Sequence, residues 1–297
     1  MNGIVLIDKP AGITSAEVVR RVKRFAKPAR VGHLGTLDPF ATGLLPILIG
    51  EATKLAPFLE GGDKRYAGLI KVGTETNTLD RDGSVVRTAP VPPLTQACLA
   101  KVAARFTGKI VQTPPVFSAI KRAGVPLYKL ARKGVEVEPP EPREIEVGFL
   151  KLEAEGADSI RFEVVCSTGT YIRSLARDIG VALESAAYLD QLGRLRSGGF
   201  SIEDASALDA VLTALESDDQ RALRIIALSD AIPDMPGAVI DSELERRLRN
   251  GDSTALDMQA PSSAGFFKVL NPEAQLIAVA RAISRVTAVI ERIFNQE

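Results

Sequence analysis

Apolar positions fall along this chain in two rhythms, one suited to strands and one to helices. Residues 4–7 (Ile-Val-Leu-Ile) form an unbroken apolar run, the pattern of a short buried strand. Asp8-Lys9-Pro10-Ala11-Gly12 is a turn, and Thr14-Ser15-Ala16-Glu17 has the capping-box pattern that starts a helix. That helix places Val18, Val19, Val22, Phe25 and Ala26 on one stripe and stops at Pro28. Residues 32–43, with three glycines and a proline, predict an irregular loop, and 44–49 a short buried segment. Residues 66–72 alternate as a strand does, and 95–106 predict a helix with Gly108 past its end. Residues 145–152 and 160–166 predict paired strands, with Ile160, Phe162, Val164 and Cys166 on one face of the second. After a turn at 167–170, Ile172, Leu175, Ala176 and Ile179 form a helical stripe that Gly180 is expected to end. Arg173 and Arg177, one turn apart, share another face. Two further helices are predicted at 206–215 and 221–228.

Residues 114–143, rich in proline, glycine and basic side chains, look like an insertion with a short helix at 126–132. A linker at 232–237 precedes a small separate module: a helix at 241–249, strands at 266–270 and 275–280, and a weaker strand pattern at 286–294. The chain has 297 residues, enough for two domains, and its 45% hydrophobic content supports a sizeable core. No apolar run approaches the roughly 20 residues of a membrane helix, and residues 4–7 are too short for a signal peptide. Cys98 and Cys166 lack Cys/His companions, which points to core thiols in a reducing cytosol. Net charge is +0, but it is segregated. Residues 18–37 carry six basic side chains and no acid, and 99–134 are again free of acids. Either a basic face meets phosphates or these are scattered solvated faces; charge alone leaves both open.

Asp38 sits between glycines, beside Pro39 and soon after His33, the single histidine. A carboxylate there can be a nucleophile, a base, a cap or ordinary turn chemistry. The chain has no Gly-Lys-Ser/Thr phosphate loop, no Gly-x-Ser-x-Gly elbow, and no second histidine for a metal site. Taken by position, Arg173 is a solvated arginine, Tyr66 a half-buried core aromatic, and Tyr171 an ordinary core residue.

The string Gly-His-Leu-Gly-Thr-Leu-Asp-Pro-Phe-Ala-Thr-Gly at 32–43 resembles the signature loop of the TruB family of tRNA pseudouridine synthases. Matching segments follow in chain order: 3–14, Lys64-Arg65-Tyr66, 114–121 with 128–132, 168–175 and Leu192-Gly193-Arg194-Leu195-Arg196. Phe117 stands where many members carry tyrosine. The resemblance is dense from residue 3 to about 200. It implies an α+β catalytic domain over 1–232, built on a mixed, mostly antiparallel sheet, with the RNA-gripping insertion at about 114–143. A PUA-like RNA-binding module at 237–297 would follow.

It further implies that Asp38 acts on a flipped-out uridine, position 55 in the TΨC loop of tRNA, with no cofactor or metal. The glycosidic bond breaks, the base rotates and C5 rejoins the sugar. Arg173 would pair with Asp38 through two parallel hydrogen bonds and keep it ionised. Tyr66 would stack on the base and accept a proton, with Tyr171, Ile172 and Leu192 completing the pocket. His33, Lys9, Lys64, Lys121, Tyr128 and Arg132 would contact RNA. The expected partner is the tRNA T-arm, bound by a cytoplasmic monomer that needs no membrane or protein partner. Two alternatives stand beside this reading: an RNA-binding or RNA-folding module without catalysis, and pseudouridylation of another RNA. Phosphate binding alone has no use for an aspartate at position 38.

Overall fold

The computed structural model describes residues 1–118, 120–122, 124–127, 137–217, 223–252, 254–256, 259, 265–284 and 287–295. One large sheet organises them. Its main strands are β1 (Gly3–Lys9), β2 (Val31–His33), β3 (Thr42–Ile49), β4 (Lys64–Val72), β5 (Gly108–Gln112), β6 (Arg143–Ala154), β7 (Ser159–Cys166) and β8 (Ala187–Ser197). The principal order is β1-β3-β8-β4-β7-β6-β5, with β2 beside β3. Its neighbours run antiparallel except β3 and β8, which are parallel with Gly193 opposite Thr42 and Arg194 opposite Gly43. The mixed, mostly antiparallel α+β architecture is the expected one.

β1 shows why its apolar run is unbroken. Val5 and Ile7 face helices α1 (Ser15–Phe25) and α4 (Leu208–Glu216), meeting Val18, Val22, Leu208 and Val211. Ile4 and Leu6 face the other way, joining Leu44, Leu48, Leu276, Val279 and Phe294. A strand covered on both sides has no polar face to alternate. Helix α1 begins as predicted, the Thr14 hydroxyl accepting from the Glu17 amide at 3.0 Å. Glu17 pairs with both Arg20 and Arg21, so part of the basic stretch is neutralised locally. Helix α2 (Gln96–Arg105) lies against β6, and α3 (Ile172–Ala182) carries Arg173.

The structure departs from the sequence expectations in four places. The first residues of the predicted loop at 32–43 belong to β2, pairing His33 with Ile47. The predicted helix at 221–228 is not formed: Ile225 and Ile226 pair with Val5 and Ile4, where the open side of β1 supplies hydrogen-bond partners. Residues 221–222 lie outside the described residues. Helix α3 runs past Gly180 to Ala182; the missing Cβ there admits Ala187, whose N lies 2.8 Å from where one would sit. Strands β5 and β8 have no counterpart among the sequence expectations.

Within the insertion, Lys121–Arg122 pairs with Val125–Pro126. Most of the predicted 126–132 helix lies outside the described residues. The C-terminal segment forms its own sheet in the order β9 (Gly237–Val239), β10 (Gly265–Leu270), β11 (Leu276–Ala282), β12 (Ala288–Ile293), with α5 (Ser242–Arg249) capped by Asp241. Its core gathers Ile240, Leu248, Phe267, Val269 and Ile277. It is less separate than expected, since Leu276, Val279 and Phe294 pack against β1 and β3. No helix among the described residues is long and apolar enough to cross a membrane.

Gly43 marks the tightest join of the sheet. Its φ is +99°, and a Cβ would stand 2.7 Å from the Arg194 amide nitrogen. Gly43→Ala therefore meets backbone strain and a clash with backbone that cannot swing away. We expect a loss of about 2–5 kcal/mol, read as a lower urea midpoint; an unchanged midpoint would show that the two strands can part.

Candidate active site

The Asp38 loop is fastened from the turn between β1 and α1. The Ser15 hydroxyl accepts from the Leu37 amide at 2.9 Å and donates to the Leu37 carbonyl at 3.2 Å. Gly12 N–H donates to the Pro39 carbonyl at 2.8 Å. Lys9, fully buried, spreads its ammonium over the carbonyls of Pro10 (2.9 Å), Ile13 (2.8 Å) and Pro39 (3.3 Å). Burial pulls the Lys9 ammonium down to about 8, the Asp38 carboxylate acting in the opposite direction.

Arg173 reaches Asp38 from the first turn of α3. The start of that helix is held by Gln112, whose amide bonds both the Tyr171 N–H (2.8 Å) and the Tyr171 carbonyl (3.1 Å). The guanidinium grips the carboxylate with both edges of its fork: Nε to Oδ2 at 2.9 Å and Nη2 to Oδ1 at 3.1 Å. Nη1 donates to the Thr78 carbonyl at 2.9 Å and Nη2 to the Phe117 carbonyl at 3.0 Å. The arginine side chain is 6% exposed and that of Asp38 31%, so the carboxylate is held from behind and open in front. A planar fork is the side chain suited to this two-point grip.

A second carboxylate stands behind the pair. Asp80 Oδ2 lies 3.5 Å from Arg173 Nη1 and is nearly buried. Burial raises its pKa, while the Thr78 hydroxyl at 2.6 Å and the Arg173 charge act against that rise. Its loop is stitched to β8, Leu189 N–H donating to the Leu79 carbonyl at 3.0 Å and Arg81 N–H to the Leu189 carbonyl at 3.2 Å. Sequence reasoning missed Asp80 because Asn77-Thr78-Leu79-Asp80-Arg81-Asp82-Gly83 looks like turn chemistry. Its one local signal is Leu79, driven to φ +62°.

Tyr66 on β4 is buried, and Arg194 on β8 is its register partner. Leu192, two residues earlier on β8, is also buried. Tyr171 is half-buried, with the Arg143 guanidinium 5.0 Å over its ring. His33 lies half-buried on β2, its pKa lowered by burial and then by the Arg194 charge. Lys64, half-buried, donates to the Thr168 hydroxyl at 3.0 Å. Asp38 and Arg173 are thus in direct contact. Tyr66 and Leu192 occupy the adjoining strand pair, close enough for the Asp38 charge to act on the Tyr66 phenol. Tyr128, Arg132 and the Lys121 side chain lie outside the described residues. Among the described residues, no three His, Cys, Asp or Glu side chains are grouped to hold a metal ion.

The expectation that Lys9 contacts RNA needs correction. With no exposed surface and three internal carbonyl partners, it braces the Asp38 loop. Salt dependence separates bracing from phosphate contact, because each phosphate contact releases counterions. We expect Lys64→Met to reduce the slope of log affinity for tRNA against log salt by about 1. Lys9→Met should leave the slope unchanged while lowering thermal stability. Equal loss of slope in both variants would restore Lys9 to the RNA surface.

Residues 23–172 match the family described as TruB family pseudouridylate synthase, N-terminal domain. The tRNA pseudouridine synthase B of Geotalea uraniireducens is 43% identical over 257 residues, covering 86% of this chain and 82% of that protein. That of Burkholderia mallei is 39% identical over 292 residues, covering 97% and 95%. Among solved structures, a chain of a Cbf5-Nop10-Gar1 complex superposes with a TM-score of 0.73 at 24% identity, covering 99% of this chain and 85% of that one. The structural likeness carries the fold, and the match of half the chain to one family model, with full-length relatives near 40% identity, carries the kinship: the chain belongs to the TruB family of pseudouridylate synthases.

Proposed function

We propose that this enzyme isomerises uridine 55 in the TΨC loop of tRNA to pseudouridine, with Asp38 as the carboxylate that engages the detached nucleotide. The observation that carries this is the Asp38–Arg173 pair, gripped at 2.9 and 3.1 Å from one side and open on the other. A carboxylate so held meets a flipped-out nucleotide without needing to reorganise, which is how a preorganised charge lowers a barrier. The relatives named tRNA pseudouridine synthase B support tRNA as the substrate class.

The reaction is an isomerisation with no net redox change. The glycosidic bond between N1 and the ribose breaks, the uracil turns, and C5 bonds to the sugar carbon. The C5 hydrogen then leaves as a proton and N1 gains one. In this reading Asp38 works at the ribose or base during detachment. Arg173 holds both its oxygens, Tyr66 faces the base as wall and proton acceptor, and Leu192 and Tyr171 line the pocket. His33 and Lys64 meet the RNA, as do Lys121, Tyr128 and Arg132 of the insertion. The terminal sheet widens the RNA footprint in the manner of a PUA-like module. The enzyme acts as a monomer on tRNA without cofactor, metal or protein partner.

The test is to incubate purified protein with unmodified tRNA transcript labelled with tritium at uridine C5, in buffer without added metal. Released tritium and the modified position are then read together. Conversion at position 55 is expected. Conversion at another position, or in another RNA only, would reassign the substrate. Binding without conversion would leave an RNA-binding protein.

A further inference from the structure

Helix α3 begins without a side-chain cap. Tyr171 stands at its N-cap position, where serine, threonine, asparagine and aspartate are preferred. Yet this first turn must be set closely, because Arg173, two residues on, meets both Asp38 oxygens at once. The turn is held from outside. Glu146 N–H donates to the Ser167 hydroxyl at 3.0 Å and Ser167 N–H to the Glu146 carbonyl at 2.8 Å, which fixes its beginning. Gln112 grips the Tyr171 backbone, which fixes its end. Between them acts Arg143, the register partner of Gln112 across β5 and β6.

Arg143 meets this turn in three ways. Its Nη2 donates to the Gly169 carbonyl. Its guanidinium carbon lies 5.0 Å from the centre of the Tyr171 ring. A Cβ on Gly169 would stand 3.4 Å from Nη2 and 3.5 Å from Cζ, so the guanidinium rests against the glycine itself. Charge does not place it there. Glu144, next on β6, pairs with Lys109 at 3.3 Å, and Arg143 forms no ion pair among the described residues. It also stands at the positive end of the α3 dipole, where a cation is disfavoured. What suits the position is shape: a planar cation can lie over a ring and donate from its edge at the same time.

We propose that Arg143 is a positioning residue of the active site. By covering the Tyr171 ring and bonding Gly169, it fixes that ring as a wall of the uridine pocket. It also sets the first turn of α3, from which Arg173 reaches Asp38. The inference rests on the pseudouridine-synthase reading of the site, in which Tyr171 lines the pocket. Arg143 acts on the nucleotide only through these partners. It also borders, with Pro114, Ile120, Arg122 and Leu127, a cavity of about 300 Å³ at the root of the insertion. An RNA phosphate is therefore the rival role for its charge.

Single-turnover kinetics on tRNA transcript separate the two roles. Arg143→Lys keeps the charge and loses the planar fork. Positioning predicts that its rate at saturating protein falls by about tenfold or more. Its tRNA affinity should stay within about threefold, with an unchanged salt slope. A phosphate contact predicts the reverse: a normal saturating rate in Arg143→Lys, and in Arg143→Met weaker binding with a salt slope reduced by about 1. That pattern overturns the inference. So does a folded Arg143→Lys protein with lower thermal stability but a normal rate, the mark of a brace alone. A double-mutant cycle tests the partner. Once Tyr171→Leu has removed the ring, Arg143→Met should cost much less than it does alone. Losses that multiply in the double variant place the action of Arg143 elsewhere and overturn the proposal. The underlying reading fails in a different way: the unaltered protein then converts no uridine, and the inference falls with it.

Discussion

Asp38→Asn is expected to abolish pseudouridine formation while tRNA still binds. The substitution keeps the shape of the side chain and removes the charge. Its loop remains tied through Ser15, Gly12 and Lys9, none of which bonds the Asp38 carboxylate. What changes is the face toward Arg173, where an amide N–H2 now meets a guanidinium donor. That mismatch costs about 1–3 kcal/mol of stability. The single-turnover rate should fall by roughly 10⁴-fold or more, the scale seen when one member of a catalytic unit is removed. Affinity for tRNA, which draws on phosphate and stacking contacts elsewhere, should change by no more than about threefold. If Asp38 were only a turn residue, a folded Asp38→Asn protein would turn over near normally. Substantial product from that variant would end the mechanism proposed here.

The second large effect is at Arg173. Arg173→Lys retains a charge but cannot hold two carboxylate oxygens and the Thr78 and Phe117 carbonyls together. Loss of alignment alone is expected to slow the reaction by about 10²-fold or more. Arg173→Met goes further, removing the guanidinium that pairs with both Asp38 and the buried Asp80. Breaking a buried pair from one side typically costs about 3–5 kcal/mol. The pH dependence has a definite sign. Asp80 is already raised by burial, and loss of Arg173 raises it further. A carboxylate raised on folding binds more protons in the folded state than in the unfolded one. Stability then falls as pH climbs from the unfolded value, about 3.9, through the folded value. Urea midpoints of wild type and Arg173→Met should therefore lie closer at pH 4.5 than at pH 7. A gap that narrows toward neutrality would mean that Asp80 is not coupled to Arg173.

These two residues were legible for different reasons. Asp38 stands in a long and unusual glycine-rich string, so the loop could be recognised without knowing what surrounds it. Arg173 could be set apart from the apolar stripe of its helix, but helical spacing cannot say that its face turns into a pocket of carbonyls. Asp80 and Arg194 show the limit. Asp80 sits in a run of polar turn residues, and only the pairing of that loop with β8 brings it to Arg173. Arg194 occupies a strand whose charged residues at 190, 194 and 196 resemble solvent positions, yet it is wholly buried. The same charges hid β8 itself, the strand that joins the two halves of the sheet. Two residues are too few to show a strand period, so Ile225 and Ile226 carry no strand pattern of their own, and only β1 decides their state.

The terminal sheet has a consequence for how this polypeptide can be shortened. Phe294, with three residues after it, is fully buried in the same cluster as Ile4. Lys54 donates to the Ile293 carbonyl at 2.9 Å, and Glu51 accepts from the Asn295 amide at 2.7 Å, closing the seam with polar contacts. A fragment ending at the linker uncovers Ile4, Leu6, Leu44 and Leu48 together, a contiguous greasy patch on the back of the strands that bear the Asp38 loop. Such a fragment would call for detergent, a fusion partner or surface redesign before its behaviour toward RNA could be attributed to the missing residues. The two ends of the chain are thereby under joint constraint: a substitution at residue 294 is felt at residue 4, although 289 positions separate them in sequence.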